Sequence, residues 1–380
     1  MNTKKYLLLT ALLFANPITA TAQITFPNGG TDGALNLTSS YTSYSKDLSQ
    51  AVTGLWDQDN TANSGKGVYD PAKRAIVFKY SSVNLNYSST TLSFTNHPSR
   101  AAVVWLVSGN VTINGSLILD GQSISYTSSL VSAEPGPGGF RGGIQNVVST
   151  GLGIGGGNSG GNGTFASTYG NTMIVPLIGG SGGSTGGGGG GAILIAASGT
   201  ITINGAITAY GGSSNGGAGS GGAIRLIANT INGFGSVNPG TDGRLRLEAN
   251  SVSGSLVTTP QTIAVPVTNP PILWPASTAA VAKILSVDAV SSPVDPRSPL
   301  DLDADVKISK AAAASSVVTV QTQNFPTNGT VKVRAAGKFS ATATLVTAAF
   351  QGGNATQATW TATVTFPEGY TTLQAIATAP

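Results

Sequence analysis

The feature that most constrains the fold is an internal repeat. Residues 108–116 (SGNVTINGS) return as residues 198–206 (SGTITINGA), 90 positions later. Further copies follow at shorter offsets, and residues 222–233 match residues 243–254 at an offset of 21. Units of about 20 residues, some enlarged by insertions, are typical of a solenoid in which each unit buries its apolar face against the next.

The repeats consist of short β-branched runs closed by Asn-Gly or Gly-Gly, with no helical period. Short strands joined by tight corners predict an all-β chain that begins with a Gly-rich, single-stranded parallel β-helix. The 21-residue offset predicts that Ile224 stacks over Leu245 with both side chains pointing inward. It also predicts that Arg225 stacks over Arg246 on the outside.

The outward positions of the last two units are unusually charged. Arg225 belongs to the first of them, and Arg244, Arg246 and Glu248 belong to the second. Because alternating residues of a strand share a face, these four side chains predict an exposed strip that could bind a ligand.

Glycine is concentrated in one part of the chain, since 37 of the 52 glycines lie between positions 135 and 243. Residues 135–191 have too few apolar residues for more than two further units, and we interpret them as a loop insertion on one side of the β-helix. The six-glycine run 186–191 is interpreted as a flexible entry into the strand that follows. The alternative is a close backbone approach to a ligand.

The first 22 residues indicate export. Lys4 and Lys5 precede an apolar stretch of about ten residues, and Ala20-Thr21-Ala22 offers a cleavage site. We therefore predict a signal peptide over residues 1–22 and an extracellular or cell-surface location, with the periplasm as the alternative. The apolar stretch is shorter than the roughly 20 residues of a membrane span. Without Lys4 and Lys5 the formal charge falls from +4 to +2, which indicates no nucleic-acid partner.

The remaining chain divides at changes in composition. Residues 23–73 lack a period and are interpreted as a cap over the first turn of the β-helix, which spans residues 74–258. Five prolines predict a stiff linker over residues 259–275. Residues 276–380 contain about seven alternating runs, which are typical of an immunoglobulin-like or fibronectin-like β-sandwich. Two of these runs are residues 300–308 and residues 358–366, where Trp360 faces the core.

Two clusters of aspartate are weak calcium candidates. Asp301, Asp303 and Asp305 share one face of a predicted strand, but a flat strand does not surround an ion, and a solvated face is the simpler interpretation. Asp57 and Asp59 resemble the start of a calcium loop that lacks the later glycine and glutamate. We predict no cofactor.

Catalytic residues are scarce. The chain has no cysteine and one histidine, His97, so chance matches to G-x-S-x-G lack a base and His97 is interpreted as structural. A polysaccharide lyase or hydrolase would have to draw on the four acids between residues 101 and 260, with Arg141, Arg225 or Arg246 as a candidate helper. Those acids are Asp120, Glu134, Asp242 and Glu248. Tyr41 and Tyr44 are the nearest candidate for a sugar platform, although packing is the simpler role.

Four strings carry a family resemblance: residues 96–107, 134–143, 176–183 and 190–199. They resemble a group of uncharacterised Gly-rich exported proteins of environmental bacteria that have a β-helix-like repeat region. The resemblance covers roughly residues 65–280 and implies an exported Gly-rich β-helix. It implies no activity.

These observations predict a non-enzymatic structural or adhesion-type protein of the cell surface or extracellular matrix. Its expected partners are a cell-surface or matrix polysaccharide or another surface protein. The alternatives are a polysaccharide-active β-helix enzyme, a glycan-binding module and an ice-binding module. An ice-binding surface would need a regular threonine array, of which Thr112, Thr200, Thr202 and Thr230 are the only hint.

Overall fold

The computed structural model describes residues 23–124, 132–144, 149–157, 169–184, 186–213, 217–297 and 303–380. The fold is all-β, as predicted, with 40% strand and 3% helix. The predicted signal peptide, residues 1–22, lies outside the described residues. We refer to residues 23–275 as the N-terminal region and to residues 276–380 as the C-terminal region.

Nineteen strands are described in the N-terminal region, with two 3-10 helices at Leu48–Gln50 and Thr61–Asn63. The strands are β1 Ala34–Leu37, β2 Ser43–Asp47, β3 Val52–Thr53, β4 Val68–Asp70, β5 Ala75–Tyr80, β6 Ser82–Leu85, β7 Thr91–Thr95, β8 Ala102–Val107, β9 Val111–Ile113, β10 Ser116–Ile118, β11 Ala192–Ala197, β12 Thr200–Ile203, β13 Ala206–Thr208, β14 Ala223–Ile227, β15 Thr230–Gly233, β16 Ser236–Asn238, β17 Arg244–Glu248, β18 Ser251–Gly254 and β19 Val257–Thr258.

These strands form three sheets. Sheet A has the order β1-β6-β9-β12-β15-β18, sheet B the order β2-β7-β10-β13-β16-β19, and sheet C the order β3-β4-β5-β8-β11-β14-β17. All neighbouring pairs are parallel except β4 and β5. From β5 onward, each set of three consecutive strands gives one strand to each sheet, and we call such a set a coil.

The repeat predicted the pairing between coils correctly. Ile224 pairs with Leu245 and Arg225 pairs with Arg246 in adjacent strands of sheet C, which confirms the 21-residue alignment. The 90-residue offset places Ile201 beside Val111 and Thr202 beside Thr112 in sheet A. Inward side chains of the three sheets form one core cluster around Trp105, which is buried. Stacked β-branched and aromatic side chains of successive coils therefore fill the interior of the N-terminal region.

Residues 23–73 do not form a separate cap. Strands β1 to β4 extend the three sheets beyond the first coil, and Leu48 is fully buried in the same core cluster. The residues predicted as a cap therefore lie over the first coil as a continuation of the three sheets. Strands β1 and β2 show no clear alternation of apolar and polar residues in the sequence because they are short and none of their residues is buried.

The proline-rich segment 259–275 is not a free linker. Val265 forms a parallel bridge with Glu248 of β17. Further along, Leu273 is buried against the outer face of sheet C, where Ile24 also packs. The segment thus runs back along sheet C and supplies part of a second hydrophobic layer. The prediction of an isolated spacer overlooked the apolar residues between the prolines.

The Gly-rich insertion lies between β10 and β11, but its described part does not project as loops. Most described glycines between residues 179 and 191 are buried. They hydrogen-bond to segments around residues 122, 140 and 220, for example Gly189 N to Phe140 O at 2.9 Å and Gly190 N to Ser220 O at 2.9 Å. We call the described residues of 133–143, 149–157, 179–191 and 210–222 the glycine array. Interpreting it as a projecting loop was wrong, because glycine backbones pack here as side chains do elsewhere.

The C-terminal region has eight described strands and one short helix, α1 Lys310–Ala313. The strands are β20 Val281–Val287, β21 Val290–Ser291, β22 Ser316–Gln323, β23 Thr330–Gly337, β24 Thr344–Thr347, β25 Ala349–Gly353, β26 Gln357–Val364 and β27 Thr371–Thr378.

Two antiparallel sheets share a core in this region. Sheet D has the order β21-β20-β22-β26-β25 and sheet E the order β24-β23-β27. Trp360, Ala362 and Val364 are buried in the core cluster, as their alternation predicted. Residues 303–308 form no strand, so the predicted strand over 300–308 is wrong in that part, and residues 300–302 lie outside the described residues.

Candidate functional site: a cleft between the two regions

The predicted ligand strip on sheet C is not exposed. Arg225 and Glu248 are 1% and 3% exposed, and Arg225 Nε donates to Glu248 Oε1 at 2.7 Å. Arg246 Nε donates to the same oxygen at 2.8 Å. Arg244 donates to the carbonyl oxygens of Tyr169 and Ile178. The face was assigned correctly, but residues 169–178 cover it. Arg244 and Arg246 fasten this cover to the sheet through backbone carbonyl oxygens, and Arg246 donates to that of Thr172 at 3.2 Å.

The candidate catalytic acids are also engaged in structural contacts. Glu134 Oε1 accepts from Arg141 Nε at 2.7 Å and from Arg100 Nη2 at 3.0 Å. Asp120 Oδ1 accepts from Tyr210 N at 2.7 Å, and burial raises the pKa of Asp120. Asp242 has a φ of 58° in the corner before β17. Asp120 and Glu134 lie on neighbouring segments, since Gln122 N donates to Glu134 O at 2.8 Å, but among the described residues no hydrogen bond joins the carboxyl groups of these three acids.

The calcium candidates do not converge on a site. Asp303 is exposed and paired with Lys307 Nζ at 2.7 Å, which lowers the pKa of Asp303. Asp305 accepts from the backbone of Arg297, and Asp301 lies outside the described residues. Asp57 is exposed, and Asp59 is held by Lys79 Nζ at 2.9 Å. Within the described ranges, no group of three His, Cys, Asp or Glu side chains could hold a metal ion.

The two candidate tyrosines do not form one platform, because Tyr41 is 91% exposed whereas Tyr44 packs against the core of the N-terminal region. Of the four threonines, Thr202 lies beside Thr112 and Thr200 lies beside Thr230 in sheet A. Serine and asparagine occupy the following positions of the same face, at Ser251, Asn232 and Ser253. The threonines are thus adjacent but do not extend into a regular array.

His97 has the structural role that the sequence predicted. Its side chain is buried, its Nδ1 lies 2.7 Å from Ser99 Oγ, and its ring stacks on Tyr69 at 4.2 Å. Burial and the nearby Arg297 lower the pKa of His97. The imidazole is therefore neutral at pH 7 and helps to hold the surface on which the C-terminal region rests.

Three contacts fix the C-terminal region at this surface. Tyr69 Oη donates to Asp295 Oδ1 at 2.7 Å, and Arg74 and Arg100 donate to the carbonyl oxygens of Pro296 and Arg297. Burial and Asp295 together raise the pKa of Tyr69 to about 12. The phenol therefore stays protonated and remains a hydrogen-bond donor throughout the neutral pH range.

A second set of contacts joins sheet E to the glycine array. Arg334, on the outer face of β23, is 8% exposed and donates to the carbonyl oxygens of Gly151 and Gly156 at 3.2 and 3.3 Å. Ala336 of the same strand packs against Leu152. The glycine array therefore presents backbone acceptors to the C-terminal region.

Beside the contact of Arg74 with Pro296 lies a cleft of about 1600 Å³. Its N-terminal wall is the corner after β4 with Leu55, and its C-terminal wall is formed by β20, residues 303–310 and the start of β27. Many lining side chains are apolar. They include Ile284, Val306, Ile308, Phe366 and Leu373, which are only partly buried against the core of the C-terminal region.

The cleft runs beside two open strand edges. β27 is the end strand of sheet E, and β21 pairs only with residues 286 and 287 of β20. The hydroxyl oxygens of Thr371 and Thr372, which line the cleft, are buried and have no hydrogen-bond partner among the described residues. The sequence could not reveal this site because its walls lie more than 200 residues apart.

No family model, curated protein or solved structure matches the chain. The resemblance to Gly-rich exported proteins therefore stays a prediction. In the described part of the chain, no helix is both long and apolar enough to cross a membrane.

Proposed function

We propose that this chain is an exported, non-enzymatic adhesion-type protein of the cell surface or extracellular matrix. In this proposal the coils of the N-terminal region form a parallel β-helix, and the C-terminal region is an immunoglobulin-like or fibronectin-like sandwich. The five successive coils and the two antiparallel sheets with a shared core support these fold assignments.

The state of the acids supports a non-enzymatic role. A glycoside hydrolase needs two carboxyl groups facing one another across the scissile bond, and roughly 5 to 10 Å separates them. Here Glu134 is held by two arginines, and Glu248 is buried between Arg225 and Arg246. Carboxylates neutralised in this way hold the fold together and are poor candidates for proton transfer to a polymer.

The cleft is the observation that carries the adhesion proposal. An extended polypeptide from another surface protein fits it, because main-chain groups of an added strand can pair with the free edges of β20 and β27. Side chains of every second residue could then enter the space beside Ile284 and Leu373. The unpaired hydroxyls of Thr371 and Thr372 would gain partners.

A fluorescein-labelled ten-residue peptide of alternating threonine and valine is a suitable probe. We expect fluorescence anisotropy to show saturable binding to the purified chain. Leu373→Lys should abolish the binding because it places a charge in the cleft. Thr363→Lys, on the exposed outer face of β26, is the control and should leave binding unchanged. Equal binding by both variants, or none by the unaltered chain, would contradict the proposed strand site.

The enzyme alternative has its own test. Incubation of the purified chain with common polysaccharides should release neither reducing ends nor unsaturated sugars. Product release that Glu134→Gln or Asp242→Asn abolishes would establish a polysaccharide-active enzyme and overturn the non-enzymatic proposal.

A further inference from the structure

The two ends of the three-sheet stack differ in how they are closed. At the N-terminal end, Leu48 is fully buried in the core, and β2 carries the charged residues Lys46 and Asp47. At the C-terminal end, β18 pairs only with β15 and β19 only with β16 among the described strands. All four residues of β18 are exposed.

Core positions are open at the C-terminal end. Val252 continues the inward column of Ile231, with which it pairs, yet Val252 is 46% exposed whereas Ile231 is 0% exposed. Beyond β18, Leu256 and Ala264 are only partly buried against the core, and Val257, which continues the outward column of Ser236, is 58% exposed. Terminal repeats of a stacked fold normally carry a polar outer surface for solubility. This end instead exposes two valines beside two strand edges.

The exposed end also lacks the features that normally prevent strand edges from pairing. Natural proteins protect such edges with charged residues, prolines or bulges. From residue 249 to residue 282 the sequence contains no charged residue, and Pro260 follows β19 without interrupting either edge strand. The edge of sheet A at β18 therefore remains able to accept a further strand, whereas the edge of sheet B is limited by the two-residue length of β19 and by Pro260 after it.

We propose that this end binds the same end of a second copy of the chain, so that β18 pairs with β18 of the other copy about a two-fold axis. Three features favour a second copy as the occupant. The surface is uncharged, so two copies meet without repulsion. An identical β18 strand has the same length and twist, so the two strands can pair antiparallel about the axis. The opposite end is closed by Leu48, so the contact joins like ends and stops at the dimer.

A matched pair of variants tests this dimer. Ser251→Lys with Ser253→Lys places two charges on the edge strand of each copy. Thr230→Lys with Asn232→Lys places the same charges on the same face one coil earlier, because Thr230 pairs with Ser251 and Asn232 with Ser253. We expect sedimentation equilibrium to give about twice the chain mass for the unaltered protein and for the Thr230/Asn232 variant. The Ser251/Ser253 variant should have the chain mass.

A second edge variant and a salt titration test the same dimer independently. Val252→Pro removes an N–H that faces the open edge, since the N–H groups of Ser251 and Ser255 on either side bond back to the previous coil, and it adds no charge. It should also give a monomer, with an unchanged circular dichroism spectrum. Because the contact is uncharged, the dimer should persist at 1 M NaCl. A monomeric unaltered chain, a dimer that survives both edge variants, or a ladder of larger species would each overturn the proposal. Since it involves the end of the stack, its failure would leave the peptide-binding result at the cleft unaffected.

Discussion

The three-sheet core and the glycine array fill the interior of the same region in different ways. In the core, side chains such as Trp105, Ile195 and Ile224 occupy the space between sheets. In the array, the backbones themselves are close enough that a Cβ atom added at Gly189 would overlap the carbonyl oxygen of Gly180. The core derives its stability mainly from apolar burial, and the array from backbone hydrogen bonds and close contact.

This difference shows that a high glycine content can indicate close packing of backbones as well as flexible loops. Collagen provides the principle, because only glycine fits where backbones meet at a crowded axis. The array uses the same steric rule within a folded domain, and its amide groups bond to several neighbouring segments. Glycine in residues 179–191 is therefore required by packing rather than by flexibility.

The largest effect is expected for Gly190→Ala. The added Cβ would overlap the carbonyl oxygen of Ala209, and a backbone atom cannot move aside as a side chain does. We expect a loss of about 4–5 kcal/mol in the free energy of unfolding, measured by urea denaturation. Gly54→Ala is the control because its Cβ meets only a methyl group of Val68, at 3.2 Å, and it should cost less than about 1 kcal/mol. If Gly190→Ala and Gly54→Ala lowered the free energy of unfolding equally, the array would be loosely packed.

The second prediction concerns the C-terminal region, whose core is filled by side chains and not by packed glycine backbones. Trp360 is 3% exposed, and its Nε1 donates to Thr322 Oγ1 at 2.9 Å. Trp360→Ala should cost about 3–5 kcal/mol and lower the melting temperature of the C-terminal region. Calorimetry should show the transition of the N-terminal region unmoved. A parallel shift of both transitions would mean that the contacts through Arg334 and Tyr69 make the two regions one cooperative unit.

The third prediction tests the buried ion pair between Arg225 of β14 and Glu248 of β17, two neighbouring strands of sheet C. Glu248→Gln leaves Arg225 as an uncompensated buried cation and should cost about 3 kcal/mol. The double variant Arg225→Leu with Glu248→Leu removes both charges and should be closer in stability to the unaltered chain. If the double variant were less stable than Glu248→Gln, the ion pair would stabilise the fold by more than the neutralisation of its two buried charges.

Much of the N-terminal region was predictable because its repeats report directly on register. The alignment of Ile224 with Leu245 needed only the 21-residue offset and the alternation of a strand. The burial of the charged outer face of sheet C was not predictable, because residues 169–178, which cover this face, carry no repeat. The glycine array was missed for a related reason: its packing partners are backbones, which leave no pattern of side chains. The cleft depends on contacts such as Tyr69 with Asp295, distant in sequence.

The smallest effect is a pH dependence at the contact between the regions. The pKa of Tyr69 is raised to about 12 in the folded protein, so folding favours the neutral phenol. Its contribution to stability is therefore complete below pH 10 and is lost as the pH rises from 10 through 12. Urea denaturation at pH 9 and pH 11.5 should show a smaller decrease for Tyr69→Phe than for the unaltered chain. An identical decrease in both would exclude this phenol as the group responsible.

The central claim is that the glycine array is a packed core, and native-state hydrogen exchange tests it most directly. The comparison is between the amides of Gly180, Gly187 and Gly190 in the array and those of β11 in sheet C. Because these three glycines are buried and their amides donate to backbone carbonyl oxygens, we predict protection of the same order as in β11, lost only with unfolding of the N-terminal region. Exchange of the array amides within seconds, while β11 remains protected, would contradict the account and restore the interpretation as flexible loops.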